Sequence, residues 1–242
     1  MAMPGLLSLP LFGLFLLASL GVSAAQQPSP APVTPSSAAK SLPMADLRGQ
    51  LPVAGHAQLG VGKVAVCAAC HGPHGVAIAP NFPNLAGQAA TYLYVQLRDF
   101  KDGHRGDPVM SGQAAPLSDE DMRDIASYYA TLAPKAAGAA DVDSKGREIF
   151  LSGDSARGIP ACQGCHGADG QGPRPYLGGA PQSPWSTYPR LRGQSVLYLS
   201  KALHDFSSGA RSGNSNAKVM QGVARTLSDD DIQVLSTYLS TL

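Results

Sequence analysis

Two short strings place two cysteines and a histidine at a spacing suited to metal or cofactor binding. They read CAACH at residues 67–71 and CQGCH at residues 162–166, and together they contain all four cysteines of the 242-residue chain. Such thiol pairs can ligate zinc, form a redox-active dithiol, close a disulfide or attach a haem. The residues concerned are Cys67, Cys70 and His71 in the first string and Cys162, Cys165 and His166 in the second.

Haem attachment is the chemistry that uses every residue of both strings. A zinc site would need all four thiolates to converge from separate parts of the chain, and it gives the histidines no role. A redox dithiol is expected within a strand–helix–strand pattern, which surrounds neither pair, and a disulfide within a pair would stabilise little. Two thiols spaced by two residues can instead form thioethers with one haem, while the next histidine binds its iron. The sequence therefore predicts two covalently attached haem c groups, with His71 and His166 as iron ligands.

A second axial ligand to each iron is expected from methionine, because the methionine sulfur fills the sixth coordination position and favours Fe(II). Met110 and Met220 each lie in a Val-Met-x-Gly string, in what we predict to be a loop between two helices. Met122 is predicted to fill the core, and Met44 to have no role. The sequence thus predicts Met110 and Met220 as ligands, with His204 as the rival candidate in the second half of the chain.

The chain contains a tandem repeat. Residues 82–105 parallel residues 188–211, and residues 109–132 parallel residues 219–242, with an inserted loop containing Trp185 in the second copy. Apolar residues recur with helical spacing in both copies, and no segment alternates like a strand. We therefore predict an all-α fold made by duplication of one small domain.

The remaining chain suggests an exported protein with two domains. Residues 1–25 resemble a signal peptide, with an uncleaved membrane anchor as the alternative, and the Pro/Ala/Ser-rich segment 26–55 is predicted to be an extended tether. A net charge of +1 argues against a nucleic-acid partner. The predicted domains are residues 56–132 (the first copy) and 145–242 (the second copy), joined by a linker at residues 133–144.

Each ligating histidine should also donate its other ring N–H to a carbonyl of the loop that follows it. In the first copy the carbonyl near Pro80 is the candidate. In the second copy the inserted loop leaves Pro181, Pro184 and Pro189 as alternatives. Ser118 and Ser228, each followed by acidic residues, are predicted to cap the last helix of each copy.

The combined motifs resemble the dihaem cytochromes c, and most closely the cytochrome c4 family. The resemblance rests on CAACHG, APNFPNLAGQ, QLRDFKDGHR and LSDED in the first copy, and on ACQGCHG, YPRLRGQ and LSDDD in the second. It covers about residues 56–242 and implies two small helical cytochrome domains packed face to face about a pseudo-twofold axis. It further implies haems near the interface, with axial pairs His71–Met110 and His166–Met220.

The expected function is electron transfer in the periplasm rather than catalysis, because two six-coordinate irons have no open position for a substrate. The donor would be a quinol-oxidising complex or a dehydrogenase, and the acceptor a terminal oxidase. One alternative is a dihaem electron-accepting subunit of a flavin-containing dehydrogenase, such as a sulfide dehydrogenase. Another is a dihaem peroxidase. An uncleaved N-terminus would add membrane association.

Overall fold

The computed structural model describes residues 42–135, 138, 144–172 and 185–242. Within them β pairing is limited to two isolated bridges, Ala45 with Asn214 and Asp154 with Ile159, so the all-α prediction is confirmed. The helices of the first copy are α1 (Ala57–Val61), α2 (Ala68–His71), α3 (Ala90–Asp102), α4 (Pro108–Ala114) and α5 (Asp119–Thr131). Those of the second copy are α6 (Lys145–Ser152), α7 (Gln163–His166), α8 (Val196–Ser208), α9 (Ser215–Ala224) and α10 (Asp229–Thr241).

Parts of the predicted organisation lie outside the described residues. These are the signal peptide or anchor at residues 1–25, the first part of the tether and most of the linker. Among the described residues, no helix has both the length and the apolar character needed to cross a membrane.

Capping residues determine where the long helices begin and end. Ser118 and Ser228 each form a capping box with the aspartate three residues later, as predicted, and three acidic residues occupy the first turn of α5 and of α10. Helices α3 and α8 are terminated by the glycines that follow them, Gly103 and Gly209, which adopt the left-handed conformation that residues other than glycine rarely adopt.

Each copy has its own hydrophobic core. In the first copy α5 packs against α1 and α3, and in the second copy α10 packs against α6 and α8. Met122 is buried in the first core, which confirms the role predicted for it. The two cores are formed around the buried side chains of Val95, Met122, Ile125 and Tyr129 in one copy and of Phe150, Leu199, Leu235 and Leu239 in the other.

Residues 42–55, which we call the strap, pack against both copies, whereas the sequence predicted an extended tether there. Ala45 donates its N–H to the carbonyl of Gly213 and accepts from the N–H of Ser215, both at 2.9 Å. The side chain of Leu47 is only 2% exposed and belongs to the core of the first copy. The prediction failed here because one buried leucine and a few backbone hydrogen bonds can order a segment whose composition is otherwise typical of linkers.

The two copies contact each other through two equivalent pairs of hydrogen bonds, in which the roles of the copies are exchanged. Gln194 accepts the N–H of Asn84 at 2.8 Å and donates to the carbonyl of Asn84 at 2.6 Å. Gln88 makes the same two contacts with Arg190, at 2.8 and 2.9 Å. Because 84 and 190 are equivalent positions of the repeat, as are 88 and 194, the contacts are those expected of a pseudo-twofold axis.

Candidate haem sites

Each CxxCH string folds as a single helical turn. Cys67 precedes α2 and its carbonyl accepts the N–H of His71 at 3.0 Å; Cys162 and His166 repeat the contact at the start of α7, also at 3.0 Å. Residues three and four apart on a helix share one face. The two thiols and the imidazole of each string therefore face the same side, and all four thiols are free.

A glycine follows each histidine because the chain must turn sharply there. Gly72 and Gly167 both have φ of 76°. A Cβ at Gly72 would lie 2.0 Å from the carbonyl oxygen of Val76, and one at Gly167 would lie 2.3 Å from that of Gly172. Such contacts are far too short for any side chain. The glycine thus allows the loop to fold back beneath the histidine.

The loop supplies a carbonyl acceptor to each imidazole. Nδ1 of His71 lies 2.9 Å from the carbonyl oxygen of Pro83, and Nδ1 of His166 lies 3.0 Å from that of Pro189. Since a carbonyl can only accept, Nδ1 carries the proton and Nε2 retains the lone pair that binds iron. Pro189 was among the predicted acceptors. In the first copy the prediction was a carbonyl near Pro80, and the acceptor is that of Pro83, while the carbonyl of Pro80 itself accepts from the hydroxyl of Ser195 in the other copy.

Burial keeps the imidazoles neutral. Both rings are 6% exposed, and desolvation lowers the pKa of His71 and of His166, although the hydrogen bond from each ring to its proline carbonyl opposes the shift. An aromatic ring borders each imidazole, with ring centroids 6.2 Å apart for Phe82 and His71 and 6.4 Å apart for Tyr188 and His166. A neutral imidazole in an apolar surrounding is the form that ligates haem iron.

The thiols do not fit the alternative chemistries. Burial raises the pKa of the Cys67 and Cys165 thiols and raises that of Cys162 to about 11, whereas redox-active dithiols have lowered pKa values. Within the described ranges, no three His, Cys, Asp or Glu side chains lie close enough together to hold a metal ion. The four cysteines therefore do not converge on a zinc site.

The two methionines occupy equivalent positions, but in short helices rather than in the predicted loops. Met110 lies in α4 and Met220 in α9, and both side chains are half-buried. The helices form because Asp107 and Asn214 act as N-caps, accepting from backbone N–H groups three residues later. His204, the rival ligand, is half-exposed on the surface, where its Nδ1 lies 3.9 Å from a carboxylate oxygen of Asp229.

A cationic cluster at the interface between the copies was not predicted as a site. One side-chain oxygen of Gln96 accepts from Arg105 at 2.6 Å and from Arg211 at 2.7 Å. Arg211 also donates to the hydroxyl of Tyr92 at 3.0 Å. Burial raises the pKa of Tyr198, but the nearby positive charges of Arg105 and Arg211 lower it, and the net result is a lowered pKa. Neither guanidinium has an ion pair with a carboxylate among the described residues, so both could bind haem propionates. The recurrence of Tyr and Arg in the repeat was the signal available in the sequence.

Both halves of the chain thus have the helical fold and the adjacent thiols and imidazole that a c-type cytochrome domain needs, and the comparisons agree. The cytochrome c family model matches residues 63–133 and 144–242. Cytochrome c4 of Pseudomonas aeruginosa is 41% identical over 198 residues, covering 81% of this chain and 93% of that protein. The crystal structure of reduced recombinant cytochrome c4 from Pseudomonas stutzeri is 40% identical with a TM-score of 0.69, covering 78% of this chain and all of that one.

The chain belongs to the cytochrome c4 family of dihaem cytochromes c. It is an electron carrier rather than an enzyme, and its cofactors are two covalently bound haem c groups. A further relative is the thiosulfate dehydrogenase electron acceptor of Thiomonas intermedia, 37% identical over 74% of this chain and 79% of that protein.

Proposed function

We propose that this protein carries single electrons between respiratory redox proteins in the periplasm. Its irons would be held by His71 with Met110 and by His166 with Met220. The observation that carries the proposal is the state of the two imidazoles: each is buried, neutral and fixed through Nδ1, so that Nε2 is available to iron. The equivalent placement of the two methionines in α4 and α9 supports the second ligand.

Cys67 and Cys70 would hold one haem, and Cys162 and Cys165 the other. Haem supplies one-electron exchange between Fe(III) and Fe(II), and the protein keeps the ligands of each iron in place during that exchange. The proline carbonyls hold the imidazole orientations, and both histidines are buried away from water. The guanidinium groups of Arg105 and Arg211 would neutralise propionates at the interface.

The partners we propose are a quinol-oxidising complex or a dehydrogenase as donor and a terminal oxidase as acceptor. Export to the periplasm is inferred from the apolar segment at residues 1–25. With a net charge of +1, docking should depend less on ionic strength than it does for strongly basic cytochromes.

A second candidate function is that of a dedicated electron acceptor for one dehydrogenase. The relatives named thiosulfate dehydrogenase electron acceptors, from Thiomonas intermedia and Stutzerimonas stutzeri, favour it, at 37% and 36% identity. Rapid reduction by a purified dehydrogenase, together with a stable complex between the two, would support this function. Equal reduction by several unrelated donors would support the general carrier.

The ligand proposal is tested by optical spectroscopy of the purified holoprotein. We expect two c-type haems per chain, a near-infrared methionine–Fe(III) band from both irons, and no binding of carbon monoxide to the reduced protein. Met110→Ala and Met220→Ala should each remove half of that band and open one haem to carbon monoxide. Met44→Ala, at an exposed methionine, is the matched control and should change neither property. Carbon monoxide binding by the reduced, unsubstituted protein would overturn the proposal that each iron has both a histidine and a methionine ligand.

A further inference from the structure

The helix that carries Met220 is longer than the equivalent helix of the first copy. Helix α9 has ten residues and α4 has seven. Asn214, the N-cap of α9, stands six residues before Met220. Asp107, the N-cap of α4, stands three residues before Met110. The second copy therefore has about one extra helical turn ahead of its methionine.

A buried carboxylate of the first copy holds the start of this extra turn. Asp99 on α3 accepts a hydrogen bond from the side-chain amide of Asn214 at 2.5 Å. The side-chain oxygen of Asn214 at the same time caps α9, because it accepts the N–H of Ala217 at 2.7 Å. The residues Asp99 and Asn214 are only 1% and 7% exposed. One asparagine side chain thus joins the cap of α9 to the first copy, away from water.

The strap contacts the same turn. Ala45 exchanges backbone hydrogen bonds with its two neighbours Gly213 and Ser215, as described above. The N–H of Leu47 donates to the hydroxyl of Ser215 at 3.0 Å. A Cβ at Gly213 would lie 1.9 Å from the carbonyl oxygen of His104, which shows how closely the start of α9 approaches the first copy. Because Leu47 is buried in the core of the first copy, the strap also joins α9 to that copy.

Helix α9 has little apolar packing of its own to hold it in place. Among the described residues, Met220 packs against a cluster of three buried side chains, Phe206, Ala217 and Ala224. The cores of the two copies contain nine and eight such side chains. Two of the three members of the small cluster are alanines, which bury little apolar surface. The position of Met220 therefore depends strongly on the hydrogen bonds at the start of its helix.

The first copy lacks the equivalent arrangement. Asp107 caps α4 by accepting the N–H of Met110, and it is partly exposed. In the part of the chain that the structure describes, the Asp107 side chain has no hydrogen bond with the second copy or with the strap. The two methionines therefore differ in what holds them, although their positions in the repeat are equivalent.

We propose that Asp99 and the strap position Met220, so that the second iron keeps its methionine only while α9 is held against the first copy. Met110 does not depend on the contact between the copies in this way. The second site is then the one that opens when that contact loosens. The inference rests on the proposed ligation by Met220, and it assigns to Asp99 a positioning role through the Asn214 cap.

The test is cyanide binding to the oxidised, full-length holoprotein carrying Asn214→Ser. A serine still caps α9, but its short side chain lacks the amide donor that reaches Asp99. Cyanide must take the place of the methionine, so its apparent affinity rises with the fraction of molecules in which the methionine is detached. We expect about tenfold tighter cyanide binding at the second haem, the order typical of one lost buried hydrogen bond, and no change at the first.

The matched control is Asp107→Ser, which makes the same cap substitution in the first copy and should leave both cyanide affinities unchanged. Asp99→Ala should reproduce the effect of Asn214→Ser. Asp99→Asn should bind cyanide more like the unsubstituted protein, because an amide oxygen can still accept the hydrogen bond. The NMR signals of the ligand methyl groups, assigned with Met110→Ala and Met220→Ala, identify the haem that binds cyanide.

A second readout is amide hydrogen exchange of the holoprotein, in which Asn214→Ser should speed exchange in α9 and leave α4 unchanged. Unchanged cyanide affinity at the second haem, equal rises at both haems, or the same effect from Asp107→Ser would overturn the inference. If Asn214→Ser fails to retain haem, Ser215→Ala is the milder variant: it removes only the acceptor for the strap, and we expect about threefold tighter binding at the second haem. Failure of the proposed ligation is distinguishable, because Met220→Ala would then leave the near-infrared band at full intensity.

Discussion

The paired glutamines at the interface allow a quantitative prediction. Gln194 is a buried side chain whose amide makes two hydrogen bonds to the backbone of Asn84, at 2.8 and 2.6 Å. Gln194→Leu keeps a similar volume but removes both of these partners. The N–H and the carbonyl of Asn84 then remain buried at the contact between the copies without them.

The expected loss follows from these two contacts. Each buried backbone group left without a partner costs about 1–3 kcal/mol, so the free energy of unfolding should fall by about 3 kcal/mol. For a chain of this size, that loss corresponds to a decrease in the melting temperature on the order of 10 °C. Gln88→Leu, at the pseudo-twofold equivalent position, should have a smaller effect, because Arg190 is exposed and water can reach the backbone groups that lose their partner.

Denaturant unfolding of the holoprotein, followed by circular dichroism and by haem absorbance, measures the change. Gln171→Leu is the control, since Gln171 is exposed and its substitution should cost less than about 0.5 kcal/mol. We further expect the transitions of the two domains to separate in the Gln194→Leu protein, because one of the buried contacts between the domains is weakened. A loss below about 1 kcal/mol would mean that water replaces the amide at no cost, which would refute the reasoning.

Two further predictions concern the strap and the buried carboxylate of α10. Leu47→Ala should lower the free energy of unfolding by about 3 kcal/mol in denaturant titration, whereas Leu51→Ala, at an exposed leucine, should have almost no effect; equal small effects would show that the strap does not stabilise the core. The hydrogen bond from Arg157 to Asp231, with an Nη1–carboxylate distance of 2.6 Å, holds the pKa of that carboxyl well below its usual range. Its stabilising effect is therefore present above the unfolded pKa of about 4 and is lost as the pH falls toward the folded-state pKa. Asp231→Asn should cost about 2 kcal/mol at pH 7, and the difference from the unsubstituted protein should shrink below about pH 4; a difference that grew in acid would contradict this account.

Features set by neighbouring residues could be predicted from the sequence. The CxxCH strings specify their own helical turn, because cysteine, cysteine and histidine at these spacings share one helix face. The capping boxes at Ser118 and Ser228 are equally local, since each joins residues three apart. The repeat then predicted the duplicated all-helical fold, because equivalent sequences fold alike.

Features that join distant segments could not be predicted in this way. The acceptor for His71 is Pro83 rather than Pro80, and the choice depends on how the loop folds back through Gly72. The order of the strap depends on Leu47 reaching a core formed by residues much later in the chain. The sequence composition reveals neither the acceptor of His71 nor the order of the strap, because both depend on contacts that form only when the chain folds.

By itself, then, the sequence determined which residues each half offers for chemistry: two cysteines, one histidine and one candidate methionine per copy, in a chain that repeats. The tertiary structure decided how those halves differ and how they meet. It brought Gln194 to the backbone of Asn84, and it brought both Arg105 and Arg211 to the side-chain oxygen of Gln96. The physical reason is range: helical turns and caps are fixed within four residues, whereas the surroundings that tune a buried cofactor come from side chains that only packing brings together.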